Sequence, residues 1–110
     1  MPYYMITGRY SLDSMKAMVE NPQDREAGAR SLVEAAGGTL HSFFFCFGFE
    51  DFLGIAEMPD DEAMASVGMA LGASGAASSG GTTKLLTAKE AMSAMRKAQD
   101  VLQRYRPPVS

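Results

Sequence analysis

Residues 37–61, GGTLHSFFFCFGFEDFLGIAEMPDD, decide the fold. They contain two runs, residues 39–47 and 51–58, that are rich in the aromatic and β-branched side chains that favour β-strands. Residues 48–51, GFED, lie between the runs and predict a tight turn, because Gly and Asp suit turn conformations. Pro59 ends the second run, since it cannot donate a ladder hydrogen bond. The stretch therefore predicts a β-hairpin, and it also holds the one histidine and the one cysteine of the chain.

A strand and a broken helix are predicted before the hairpin. Residues 3–10 are rich in aromatic and β-branched residues and predict the first strand. Ser11 is a suitable N-cap, and the apolar residues after it recur at helical spacing. Asn21 is expected to cap a second helical segment that has Pro22 at its first position, and Gly37 follows its end. The first crossover is therefore long and interrupted near Pro22.

A helix, a fourth strand and a final helix are predicted after the hairpin. Residues 60–62 place three carboxylates on a first helical turn, where the helix dipole favours negative charge. Residues 72–81, GASGAASSGG, predict a flexible low-complexity segment, and residues 82–86 predict a short strand. Residues 87–90, TAKE, match a capping box at the start of an amphipathic helix. Residues 104–110 predict a flexible tail, because their prolines oppose a helix.

This order of elements predicts an α+β fold of the ferredoxin-like βαββαβ type with an extra C-terminal helix. Right-handed crossovers would place both crossover helices on one face of an antiparallel four-stranded sheet. With 110 residues, the chain is expected to form a single domain over residues 1–110.

The second strand is apolar on both of its predicted faces. Strict alternation would put Leu40 and Phe44 on one face and Phe43 and Phe45 on the other. A sheet with one solvated face would instead alternate apolar with polar residues. Something must therefore cover the face that the helices leave open. A partner subunit that packs sheet against sheet is the simplest explanation, and a large ligand or another protein is the alternative.

Composition excludes several classes of function. The net charge of −3 and the scattered Lys and Arg residues argue against a nucleic-acid partner, which needs clustered cations. No stretch approaches the ~20 apolar residues that a membrane helix needs, and the first residues do not resemble a signal peptide. A single cysteine rules out an intrachain disulfide and suggests a reducing compartment. We therefore expect a cytoplasmic protein with no membrane partner.

Several combinations of residues that resemble active-site motifs fail on spacing. His41 and Cys46 are an odd number of residues apart, so a regular strand would point them to opposite faces. Asp51 and Glu57 share a face but are separated by roughly 20 Å at strand rise. The glycine-rich segment does not lead into a helix as a phosphate loop must. One His and one Cys argue strongly against a zinc site within one protomer, and we expect no metal and no cofactor.

The chain resembles the GYD-domain family, small proteins similar to the dimeric α+β-barrel group. The resemblance is carried by residues 48–51, residues 51–57 and residues 58–62, MPDDE, with support from Tyr4, Tyr10 and the start of the last helix. Where the family usually has a tyrosine before the turn aspartate, this chain has Glu50. The resemblance implies a dimeric α+β barrel and supplies no reaction, because the family has no settled activity.

Two functional hypotheses remain open. In the first, a dimer or higher oligomer binds a small apolar or aromatic ligand between the sheet and the helices, with or without catalysis. Tyr4, His41 and Asp51 are then the candidate ligand-binding residues, with His41 as base or hydrogen-bond donor and Tyr4 orienting the ligand. In the second, the protein is a non-catalytic structural or interaction module whose aromatic sheet serves only oligomerisation. A pocket that holds His41 would favour the first hypothesis.

Overall fold

A computed structural model describes residues 1–109 of the chain, which form four strands and four helices. The elements follow one another as β1 (Tyr3–Tyr10), α1 (Leu12–Glu20), α2 (Arg25–Ala35), β2 (Thr39–Phe45), β3 (Phe52–Glu57), α3 (Asp61–Ala73), β4 (Ala77–Leu85) and α4 (Ala88–Arg104). The sheet has the strand order β2-β3-β1-β4, and each neighbouring pair is antiparallel. The predicted α+β fold with a four-stranded antiparallel sheet is therefore confirmed, and its arrangement is ferredoxin-like.

The core lies between one face of the sheet and helices α2 and α3. Its buried strand residues are Tyr4 on β1, Leu40 on β2 and Ala56 on β3. Helix α2 contributes Val33, and helix α3 contributes Met64 and Val67. On β3 every second residue is buried, as expected for a strand with one face against a core. No helix within residues 1–109 is both long enough and apolar enough to cross a membrane.

A β-bulge at His41 changes which side chains share a face of β2. The pairing with β3 shifts register between Leu40 and Ser42, so His41 is the extra residue. As a result, Leu40 and Phe43 both pack with the core on the helix side. The strict alternation predicted from the sequence is therefore wrong across this bulge, and Leu40 does not share a face with Phe44. Phe44 instead lies on the opposite face and is exposed.

Strand β4 begins five residues earlier than the sequence predicts. It spans Ala77–Leu85 and pairs with β1 along its whole length, so the prediction of a flexible segment is wrong for residues 77–81. The ladder depends on backbone groups rather than on side chains, which lets a Gly-Ser sequence join it. Close packing also favours glycine here, because a Cβ at Gly80 would come within 2.9 Å of the Thr7 carbonyl oxygen.

Two of the three helix caps predicted from the sequence are confirmed, and Asp60, predicted on the first turn of α3, is its N-cap. Ser11 caps α1 by accepting from the Ser14 N–H, and Asp60 caps α3 by accepting from the Ala63 N–H. The capping box between Thr87 and Glu90 at the start of α4 is confirmed. The exception is α2, where the N-cap is Asp24 rather than Asn21, so Pro22 lies in the loop.

Helix α4 extends away from the rest of the molecule. None of its residues is buried within residues 1–109. The Cα radius of gyration is 17.8 Å, whereas a compact domain of this length would have about 13 Å. The longest dimension of the molecule is 59 Å. Helix α4 continues to Arg104, so the predicted tail at residues 104–110 starts within it, and Ser110 lies outside the described residues.

Candidate functional site

A partly enclosed cavity of about 70 Å³ lies between the sheet and helices α2 and α3. This volume is several times the ~10–15 Å³ that a single water molecule requires. Strands β1, β2 and β3 form its floor, and the two helices form its walls. Most of the lining side chains are apolar or aromatic, among them Ile6, Leu32, Leu40, Phe43, Phe52 and Val67. The cavity is therefore concave and apolar as small-ligand sites are, and smaller than the ~300–1,000 Å³ usual for them.

An aromatic cluster forms one end of this cavity. The rings of Phe43 and Phe52 are stacked with a centroid separation of 6.1 Å and an interplanar angle of 16°. The Tyr10 ring contacts the Phe52 ring at a centroid distance of 5.0 Å. Gly54 leaves space beside the cluster, since a Cβ at this position would have no atom closer than 3.5 Å. A planar apolar group would meet ring faces and edges here.

Arg25 and Tyr10 supply the polar groups of the cavity. They also line a second, shallower cavity of about 160 Å³ beside helix α1, so both can be reached from solvent. Arg25 Nη1 donates to Gln23 Oε1 over 3.1 Å. Burial raises the pKa of Tyr10 above its usual value, although the nearby Arg25 acts in the opposite direction. The Tyr10 hydroxyl is therefore a neutral hydrogen-bond donor at physiological pH.

Tyr4 lies on the helix side of the sheet, in a polar cluster separate from this cavity. Its hydroxyl donates a hydrogen bond to Asp61, and Lys84 Nζ lies 2.9 Å from Asp61 Oδ1. Burial, and then the hydrogen bond to Asp61, raise the pKa of Tyr4 to about 12. The Tyr4 hydroxyl, followed by Lys84, holds the pKa of Asp61 below its usual range. The cluster ties β1, α3 and β4 together and lines a shallow depression with Met64.

His41 lies on the opposite face of the sheet from the cavity. Its Nε2 is 2.9 Å from Glu57 Oε1, and its ring lies 5.4 Å from the Tyr3 ring. His41 lines neither this cavity nor the depression beside Tyr4. No contact joins His41 to Cys46 in the described chain. The bulge removes the parity reason for their separation, but the engagement of His41 with Glu57 accounts for the position of its ring.

Asp51 fixes the end of the hairpin to strand β1. Its Oδ2 accepts from the Tyr10 N–H over 2.9 Å, and its own N–H donates to the Gly8 carbonyl over 2.8 Å. The sequence suggests a role within its own turn, whereas the structure shows Asp51 bound to a neighbouring strand. Asp51 therefore holds the backbone of Tyr10, whose side chain lines the cavity. The adjacent Glu50 has one carboxylate oxygen, Oε2, that is enclosed without a hydrogen-bond partner in residues 1–109.

The structure does not bring Tyr4, His41 and Asp51 together, and the cavity is built from other residues. Arg25 and Tyr10, its polar groups, are absent from the set that the sequence suggests. One local signal could have indicated Arg25: Gly28 follows three residues later, on the same face of a helix. Residues 1–109 contain no group of three or more His, Cys, Asp or Glu side chains placed to hold a metal ion.

Comparisons with known proteins identify a family and a fold. The family model described as GYD domain matches residues 4–95 of the chain. The crystal structure of MtbAldR has a TM-score of 0.53 and 17% identity, with 78% of this chain and 52% of that chain covered. The chain thus spans about half the length of that protein, and the likeness shows the fold alone. FFRP-DM1 has a TM-score of 0.49 and 9% identity, with 78% and 100% covered. No curated protein matches the chain with significant similarity.

Proposed function

The chain belongs to the GYD-domain family, and we propose that it is a self-associating protein that binds a small apolar or aromatic ligand between its sheet and helices α2 and α3. The observation that carries this proposal is the cavity of about 70 Å³ lined by aromatic and aliphatic side chains. A module that served only oligomerisation would have no reason to keep open space in its core, because close packing is more stable.

In this proposal, the candidate residues predicted from the sequence do not contact the ligand. Asp51 holds the backbone of Tyr10 at the cavity, and Tyr4 holds the start of α3 through Asp61. His41, on the other face, would belong to the surface between subunits. The groups that would touch the ligand are the ring of Phe43 and the side chains of Tyr10 and Arg25.

Two uncovered apolar surfaces support self-association. The first is the sheet face opposite the core, which carries Met5, Leu53 and Ile55, none of them buried, and the exposed Phe44. The second is one side of helix α4, where Met95 is 65% and Leu102 is 74% exposed. Apolar residues on that side recur every three or four positions, at Ala91, Met95, Ala98 and Leu102, as in a helix that packs along another helix. A second copy of the chain would cover both surfaces at once.

Binding can be tested with neutral aromatic probes. Indole and p-cresol would be titrated into the isotope-labelled protein, and we expect chemical-shift changes centred on Ile6, Gly54 and Val67 around the cavity. The Gly54→Ala variant places a methyl group in the cavity without a clash, because the nearest atom would be 3.5 Å away. It should therefore stay folded and bind both probes several-fold more weakly.

The matched control is Gly68→Ala, which lies on helix α3 with no atom within 4 Å of the added Cβ. Gly68 does not line the cavity, so this variant should bind like the wild type. Failure of the wild type to bind either probe at millimolar concentration, or equal binding by Gly54→Ala, would contradict the proposal.

A further inference from the structure

We propose that the ligand of this cavity carries a carboxylate, and that Arg25 and the Tyr10 hydroxyl bind it while the aromatic cluster holds its apolar part. This inference rests on the proposed ligand-binding function and narrows the ligand to a small aromatic or apolar monocarboxylic acid. Four features of the structure support it: two concern Arg25 itself, and the others concern Gly28 and Tyr10.

The first feature is that Arg25 is partly buried without a carboxylate partner. The ion pairs formed by residues 1–109 involve Arg30, His41, Lys84 and Arg104, and none involves Arg25. The other cationic side chains without such a pair are all exposed to solvent, whereas Arg25 is only partly exposed and lines the cavity. A partly desolvated guanidinium gains more from an anion than an exposed one does.

The second feature is the hydrogen bonding of the guanidinium itself. It donates from Nη1 to the neutral Gln23 Oε1 and also interacts with the neutral Tyr10 hydroxyl, so neither partner is an anion. Since arginine has five N–H donors in a planar fork, several remain to bind a carboxylate with two parallel hydrogen bonds. Gln23 restrains the side chain without neutralising its charge.

The third feature is Gly28, which makes room for the guanidinium against helix α2. A Cβ at Gly28 would lie 3.0 Å from both Nη1 and Nη2 of Arg25 and 3.1 Å from its Cζ. The planar group therefore lies against the bare backbone of the helix. Glycine in the middle of a helix is unfavourable by about 0.5–1 kcal/mol relative to alanine, so its presence here is accounted for by the space that Arg25 occupies.

The fourth feature is the Tyr10 hydroxyl, a second donor beside the guanidinium. Tyr10 and Arg25 line the same two cavities. The phenol oxygen lies within reach of the Arg25 guanidinium, which has no acceptor, so the Tyr10 O–H is left to donate to a ligand. A carboxylate placed between the two residues would accept from both, with its apolar part directed at Phe43 and Phe52.

Phenylacetate and phenylacetamide test this inference, because they have nearly the same shape and differ in charge. Both would be titrated calorimetrically at pH 7.5 into the wild type and into Arg25→Gln, Gly28→Ala and Gly68→Ala. We expect the wild type to bind phenylacetate about tenfold or more tightly than phenylacetamide, the difference that a charge-assisted pair supplies. Arg25→Gln should bring phenylacetate to the level of the amide and leave the amide within about twofold.

Gly28→Ala provides a second variant that does not rely on removing Arg25. Alanine favours the helix, so the unfolding midpoint should not fall, while the displaced guanidinium should reduce the preference for phenylacetate. Gly68→Ala makes the same replacement in the middle of a helix away from Arg25, and its preference should equal that of the wild type.

The outcomes separate this inference from the proposed function. If the wild type binds phenylacetate and phenylacetamide with equal affinity and Gly54→Ala weakens both, the proposed carboxylate site is wrong and the proposed ligand cavity is still supported. A preference for phenylacetate that persists in Arg25→Gln also overturns the carboxylate site, because the anion would then bind elsewhere. Absence of binding by both probes and by indole overturns the cavity proposal, and this inference with it.

Discussion

The replacement Gly8→Ala should destabilise the protein through steric clashes whose partner atoms are known from the structure. Gly8 lies on β1, pairs with both neighbouring strands, and is buried. A Cβ at this position would lie 2.5 Å from Phe52 Cζ and 2.9 Å from the Ser79 carbonyl oxygen. The aromatic ring and the β4 backbone both limit relaxation. Gly8 does not have a positive φ, so the effect of alanine here is steric rather than conformational.

The expected loss of stability is the difference between a steric cost and a gain from restricting the unfolded chain. Forcing a methyl group into a packed site costs about 1–3 kcal/mol, and Gly→Ala by itself recovers about 0.4–1 kcal/mol by restricting the unfolded chain. With Phe52 held by Phe43 and Tyr10, we expect the upper part of this range, a net loss of about 2 kcal/mol. For a domain of this size that corresponds to a fall in the melting temperature of about 10 °C.

Gly81→Ala is the matched control on the neighbouring strand. Gly81 pairs with Thr7, and its nearest contact to an added Cβ would be Thr7 Oγ1 at 3.9 Å. This variant should be as stable as the wild type or slightly more stable. Both variants would be compared by urea unfolding and calorimetry at one protein concentration, because self-association changes apparent stability. Equal stability of the two variants would refute the steric account, and with it the placement of the Phe52 ring against β1.

Three further predictions address other parts of the molecule. The double variant Met95→Asp, Leu102→Asp should weaken self-association at least tenfold, as measured by sedimentation velocity. The double variant Ser93→Asp, Gln103→Asp adds the same charge on the polar side of α4 and should not weaken it. Equal effects of the two would exclude a specific apolar helix surface. Because the pKa of Tyr4 is raised from 10.0 to about 12, the fold favours the neutral phenol. The contribution of Tyr4 to stability is therefore complete below pH 10 and is lost towards pH 12. The difference in urea-unfolding free energy between the wild type and Tyr4→Phe should shrink over that interval, and a constant difference would count against the buried hydrogen bond. The pH dependence expected for Asp61 has the opposite sign, since its lowered pKa makes its contribution to stability complete near neutral pH and lost on acidification through its folded pKa. The difference in unfolding free energy between the wild type and Lys84→Met should therefore shrink in acid. A difference that stays constant with pH would contradict the ion pair.

The sequence predicts the elements of this fold well where side chains determine them. The capping box at Thr87 and the acidic start of α3 at Asp60 are local patterns with one physical cause each, and both are confirmed. The sequence fails where backbone geometry decides. The bulge at His41 carries no residue signal of its own, and residues 77–81 join the sheet because β1 offers them hydrogen-bond partners. Neither effect can be read from a pattern of side chains.

The cavity could not be predicted from the sequence, because its polar groups come from two separate elements, β1 and α2. Tyr10 ends β1 and Arg25 begins α2, and the two residues meet at one end of the sheet after the chain has passed through α1. Neither residue belongs to a motif that indicates ligand binding. The conspicuous residues of the hairpin, His41 and Asp51, take part in local hydrogen bonds instead.

The alternating side chains of strand β3 place the proposed ligand site and the proposed self-association surface on opposite faces of the sheet. Phe52, Gly54 and Ala56 face the cavity and core, whereas Leu53, Ile55 and Glu57 face the opposite side, where a second copy would pack. A ligand between sheet and helices would therefore not contact the sheet surface that a second copy would cover. The two surfaces can influence each other only through the backbone of the sheet, which six paired positions between β1 and β3 hold in register. Ligand affinity and self-association should consequently respond to different substitutions, which makes each of them testable without disturbing the other.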